Sequence, residues 1–155
     1  MVDKNAVLAT FQAILETLLK DAHASRTTLR IDLPQLGCNV NSPAAEALTP
    51  GVPSLKGKTS LDQRNSVAFR WLDKHRRLFI ENDCSTAKPD MAPEPEVTQV
   101  YGIRSEMLGP LIRGGRLVGV VSVHDTKGPH QWAPDEITAL EAACKKFHEQ
   151  LDALG

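Results

Sequence analysis

The sequence predicts an α+β domain built on a largely antiparallel sheet. Three observations carry that prediction. Met107–Ile112 and Leu117–Val123 are apolar runs flanking Arg113-Gly114-Gly115-Arg116, and a Gly-Gly pair supplies the positive φ that a tight hairpin turn needs. The second run is rich in β-branched residues (Val118, Val120, Val121, Val123) and too short for an independent helix. Finally, a segment of helical periodicity stands near each end of the chain.

The elements follow in order. Asp3 can cap a first helix whose apolar positions, Val7, Leu8, Phe11, Ile14, Leu15, Leu18, Leu19 and Ala22, recur at helical spacing. Thr27–Leu33 alternates as a strand, with Leu29, Ile31 and Leu33 on one face and Thr28, Arg30 and Asp32 on the other. Gln35–Ser60 is rich in turn residues, with a short strand-like piece at Ala44–Leu48. Ser60 and Gln63 have capping-box spacing and predict a helix carrying Val67, Trp71 and Leu72 inward. Arg77–Ile80 reads as a brief strand. Residues 85–96 contain three prolines and form a loop, and Val97–Tyr101 reads as a helical turn leading into the hairpin. On the last strand Val118, Val120, Ser122 and His124 share one face, and Leu117, Gly119, Val121 and Val123 the other. Pro134 opens a final helix with Ile137, Leu140, Cys144, Phe147, Leu151 and Leu154 at alternating three and four spacing. Its first half is expected on the sheet. Its second half, heptad-like, is expected to pair with a second copy.

Composition bounds the function. The 155 residues carry 18 basic and 19 acidic side chains, a net charge of -1, with no long run of either sign. Nucleic acid and anionic membrane surfaces demand a basic face, so neither is an expected partner. There is no signal-like or membrane-spanning apolar stretch, and Cys38, Cys84 and Cys144 are widely separated, as reduced thiols in a cytoplasmic protein would be. One domain over residues 1–155 is expected.

SEMLGPLIRGGRLVGVVSVHD, followed by the Trp-Ala-Pro-Asp-Glu helix start, resembles the C-terminal half of a GAF domain. RTTLRIDLP resembles the first strand of that family, and RRLFIEND its middle strand. The resemblance implies a GAF-like, PAS-related fold: a central antiparallel sheet, the N- and C-terminal helices on one face, loops and short helices over the other. It also implies a small-molecule pocket beneath those loops. GAF relatives that bind bilin use a cysteine beside a histidine, and no cysteine here is adjacent to one.

Recognisable catalytic motifs are absent. There is no CxxC, HExxH, phosphate-binding glycine loop or GxSxG, and the five histidines lack metal-ligand spacing, so no metal and no cofactor is expected. The positive signal is polar residues on strands. If the fully apolar faces meet the terminal helices, Arg30, Asp32, Ser122 and His124 lie under the loops, with Trp71, Tyr101, Arg104 and Met107 on segments that could wall a pocket and residues 85–96 as its lid. Each has a plainer reading. Arg30 and Asp32 could be an exposed ion pair, His124 a rim hydrogen bonder, Trp71 core, and Arg104 a partner of Asp83 or Glu106. The sequence thus points to a small-molecule-binding sensory domain with a compact polar or anionic ligand, a homodimer signalling to a separate output protein. The alternatives are an enzyme on this fold, through a thiol or through His124 with Asp32 as an acid–base pair, and a ligandless dimerisation module.

Overall fold

A computed structural model describes residues 3–155. Helix α1 (Lys4–Asp21) starts at Asp3, whose carboxylate accepts from Ala6 N at 3.2 Å. Strands β1 (Arg26–Ile31) and β2 (Ala45–Leu48) follow, then α2 (Val67–His75), β3 (Phe79–Glu81), α3 (Pro95–Gln99), β4 (Ser105–Arg113), β5 (Arg116–Asp125) and α4 (Pro134–Leu154). The five strands form one sheet in the order β2-β1-β5-β4-β3, every pairing antiparallel. Gly114 and Gly115 turn the central hairpin with φ of 57° and 76°, values that a side chain would strain.

One face of the sheet is closed by α1 and α4. Phe11, Leu15 and Leu18 of α1 and Leu140, Phe147 and Leu151 of α4 pack on Leu29, Ile31, Met107, Leu111, Val121 and Val123. Phe11 meets Phe147 edge-on at 5.5 Å between ring centroids. The close approach of α4 needs Gly109, where a Cβ would stand 2.3 Å from Cys144 Sγ. The other face is roofed by α2, α3 and the loops, which bury Phe69, Leu72, Phe79, Leu108 and Val120.

The structure corrects four expectations. The cap of α2 is Ser66, not Ser60. Its side chain accepts from Phe69 N at 3.2 Å, while Ser60 lies exposed and bonds Glu96. Phe69, rather than Val67, is the buried residue of that first turn. On β5 the pairing shifts between Leu111 and Ile112, leaving Val118 as an extra residue, a β-bulge. Leu117 therefore joins Val120 on the roofed face, and Val118 packs toward the helices. Lastly, the Phe147–Leu151 seam is spent inside the chain. Both residues are 1% exposed and meet α1 and the sheet, so they do not offer a face to a second copy.

Candidate functional site

The strand register sets polar side chains in rows on the roofed face. Arg26, His124, Glu106 and Glu81 stand opposite one another across β1, β5, β4 and β3. The next row is Glu46, Thr28, Ser122, Leu108 and Phe79, and Arg30 stands opposite Val120. Arg26, Thr28, Arg30, Ser122, His124 and Glu106 are all buried, against the usual tendency to leave such groups in water.

Arg26 is a clamp. Its guanidinium donates to Tyr101 O (3.1 Å) and Pro53 O (2.9 Å), tying β1 to the roof. Burial lowers its pKa to about 10, so it stays charged at neutral pH. Its Nη1 lies 3.3 Å from His124 Nδ1. A guanidinium can only donate, so Nδ1 accepts and the imidazole proton sits on Nε2. Burial, then the charges of Arg26 and Arg30, push the His124 pKa well down, so the ring is neutral.

Between this face and the roof lies a cavity of about 60 Å³. Arg30, Glu106, Ser122 and His124 line it from the sheet, Phe69 and Leu72 from α2, and Met91, Pro93, Glu94 and Tyr101 from the segments above. The polar groups are unevenly satisfied. Arg30 Nη1 donates to Val40 O at 3.2 Å, but Arg30 Nη2, Tyr101 Oη and Thr28 Oγ1 have no hydrogen-bond partner among the described residues. The Tyr101 hydroxyl lies near the Gln63 side chain without completing a hydrogen bond. The Arg30 guanidinium stands 6.0 Å from the Tyr101 ring centroid. Glu106 is 4% exposed, and burial together with the carboxylates of Glu81 and Glu94 raises its pKa to about 7. Buried, unpartnered donors are costly in a folded protein, and a cavity beside them is where a ligand would relieve the cost.

Of the residues expected at a pocket, Arg30, Tyr101, Ser122 and His124 come together here, and the 85–96 segment supplies part of the roof. The other four lie elsewhere. Asp32 accepts from Val40 N at 3.0 Å and pairs with Arg64, with Arg116 at 3.7 Å, so it anchors a loop instead of facing Arg30. It is also at the far end of β1 from His124, which opposes Arg26, so these two form no acid–base pair. Trp71 packs edge-on against Phe79 (5.2 Å) and beside His75 (4.3 Å), outside the cavity. Met107 is fully buried on the helix-covered face, because it is one residue out of phase with Glu106 and Leu108. Arg104 is exposed and borders a separate surface groove with Cys84 and Pro93. Glu106 was not anticipated. Its signal was a carboxylate in phase with Leu108 on an otherwise apolar strand.

The thiols are poorly suited to nucleophilic work. Burial, then Glu106, Glu81 and Asp83, pushes Cys84 up to about 12, and burial does the same to Cys144. Among the described residues no group of three or more His, Cys, Asp or Glu side chains could hold a metal ion, and no helix is long and apolar enough to cross a membrane.

Residues 7–147 match the sequence profile of the GAF domain family. Among solved structures, the blue-light-absorbing form of the Thermosynechococcus elongatus PixJ GAF domain is similar, with TM-score 0.71 and 17% identity over 97% of this chain and 89% of that one. The chromophore-binding domain of the R. palustris bacteriophytochrome RpBphP3 gives 0.68 and 16%, covering 97% of this chain and 60% of its own. That of the Stigmatella aurantiaca bacteriophytochrome gives 0.69 and 17%, covering 97% and 59%. No curated protein sequence matches significantly. At these identities the likeness concerns the fold.

Proposed function

The chain belongs to the GAF domain family, and from that premise we propose that it is a small-molecule-binding sensory or regulatory domain whose ligand occupies the cavity between the sheet and its roof. The observation that carries this reading is the pair of buried, unpartnered donors, Arg30 Nη2 and Tyr101 Oη, at the wall of that cavity. They favour a ligand with an acceptor-rich, anionic end. The cavity limits its size. At 10–15 Å³ for each water-sized group, about 60 Å³ holds roughly four to six such groups. A ligand larger than this would require the roof to open.

Native mass spectrometry of freshly purified protein tests the proposal: a bound small molecule, released on denaturation, is expected. The absence of any adduct, together with the absence of any ligand-induced thermal shift across a screen of small metabolites, would overturn it.

The wider proposal is a cytoplasmic homodimer acting through a separate output protein. The three free cysteines support the compartment. With Phe147 and Leu151 buried, a dimer would have to use other, exposed positions of the terminal helices. Sedimentation showing only monomer would remove the dimer. The high pKa of the Cys84 thiol and the separation of Asp32 from His124 weigh against the enzyme readings.

A further inference from the structure

The cavity has two chemically different ends. At one, Arg30 Nη2 and Tyr101 Oη are donors without acceptors. At the other, Glu106 is a buried carboxyl to which no described residue donates a hydrogen bond. The two carboxylates that flank it are already engaged. Glu81 accepts from Asp83 N at 3.2 Å, and both oxygens of Glu94 accept from Val67 N at 3.2 Å. Glu106 is the free acid of that group.

The sheet separates the two ends. Arg30 opposes Val120 on β5, and Glu106, on the strand beyond, opposes His124 four residues along. Strand spacing and rise place their Cα atoms about 10 Å apart across the sheet and about 13 Å along it. Both side chains line the cavity, as does Ser122, which lies between them on β5.

We propose that the ligand is a compact zwitterion, an ammonium carboxylate whose carboxylate takes Arg30 Nη2 and Tyr101 Oη while its ammonium donates to Glu106. This rests on the ligand-cavity reading above. A simple carboxylate would satisfy the arginine end and leave Glu106 buried without a partner. A simple amine would do the reverse. Only a molecule carrying both charges relieves both ends. Its arrival also changes the state of Glu106: a protonated carboxyl gives up its proton when a cation docks against it.

Matched series of small compounds test this on the full chain. Glycine and β-alanine are titrated beside acetate and propionate, which lack the amine, and methylamine and ethylamine, which lack the carboxylate. At least one amino acid is expected to bind tenfold or more tightly than either of its half-molecules. Calorimetry at pH 6 in two buffers of different ionisation enthalpy should show close to one proton released per ligand bound. Glu106→Gln, an isosteric change, should abolish that release and reduce amino-acid affinity to that of the matched carboxylate. Tyr101→Phe should weaken amino acid and carboxylate alike. The proton release is read on the unaltered protein, so it stands even if a variant fails to fold. If carboxylates bind as tightly as the amino acids, the zwitterion is wrong and the cavity is an anion site. If nothing in the series binds and a crystal structure shows only water in the cavity, the ligand-cavity reading falls with it.

Discussion

Arg26 Nη1 stands 3.3 Å from His124 Nδ1, and Glu106 faces the same histidine from the next strand. One imidazole is thus held between a permanent cation and a carboxyl, in a setting that favours the neutral form of both titratable groups. The two depart from their ordinary pKa values in opposite directions, and each leaves a signature in the pH dependence of stability.

For His124 the folded pKa lies well below 6.5, so below about 6.5 the unfolded chain binds the extra proton and acid destabilises the fold. Glu106 acts the other way. Its unfolded carboxyl ionises near 4.5 while the folded one holds its proton to about 7, so stability falls as pH rises between those values. Each slope is limited to about 1.4 kcal/mol per pH unit, and they oppose each other just below 6.5. The two slopes nearly cancel there in the unaltered protein, so Glu106→Gln should leave a Tm that rises with pH and His124→Gln one that falls. Parallel Tm–pH curves for the two variants would show that the groups do not carry these shifts.

His130 gives a separate pH effect at the start of α4. Its ring bridges Asp125 (2.9 Å) and Glu136 (2.9 Å) and stacks on Trp132 at 3.7 Å. Burial alone would lower its pKa, but the two carboxylates outweigh that and raise it. The resulting stabilisation is full below about 6.5, where a free imidazole is also charged, and is lost as pH rises through the folded value. His130→Ala should cost about 2 kcal/mol on the acid side and progressively less above neutrality. In a Trp71→Phe background, Trp132 fluorescence should follow the same titration. Emission that does not change with pH would contradict it.

The order of elements was legible because hydrophobic period and Gly-Gly turn chemistry are local properties, and so were the two apolar sheet faces away from the bulge. The cap of α2 was not. Ser60 and Ser66 both precede helix-forming residues, and the choice between them is made by tertiary contacts: Glu94 takes Val67 N, and Arg64 is drawn to Asp32 and to Leu117 O at 3.1 Å. Likewise Arg104 and Met107 were placed near the site by their position in the chain, although strand phase puts one in solvent and the other beneath the helices. The groups that complete the cavity come from five segments far apart in sequence, which no local pattern joins. The cap is simple to check in urea: Ser66→Ala should cost about 1 kcal/mol and Ser60→Ala close to nothing.

The heptad-like end of α4 shows how one spacing serves two ends. A stripe that meets another helix every three or four residues fits a neighbour in the same chain as well as one in a second copy, and here α1 is the neighbour. Phe147→Ala should then cost about 3–5 kcal/mol, and Phe147→Glu should unfold the domain. A well-folded Phe147→Glu monomer, seen by circular dichroism and sedimentation, would return this residue to a subunit interface.

Gly109 faces Cys144 where α4 packs on β4, and the cost of crowding that contact can be assigned to one atom. An alanine Cβ at 109 would lie 2.3 Å from Cys144 Sγ, while the next neighbours, Leu140 and Leu78, stand at an ordinary 3.5 Å. Gly109→Ala should therefore destabilise by about 1–3 kcal/mol through overpacking, since the strand is pinned by β3 and β5 and the helix by α1. Cys144→Ala removes the clashing sulfur and should itself cost about 1 kcal/mol for the lost packing. Combined, the two changes should cost less than their sum by about 1 kcal/mol or more, because the second creates the room that the first requires. Urea unfolding of the four proteins measures that coupling. If Gly109→Ala costs as much with alanine at 144 as with cysteine, the sulfur is not what holds position 109 to glycine.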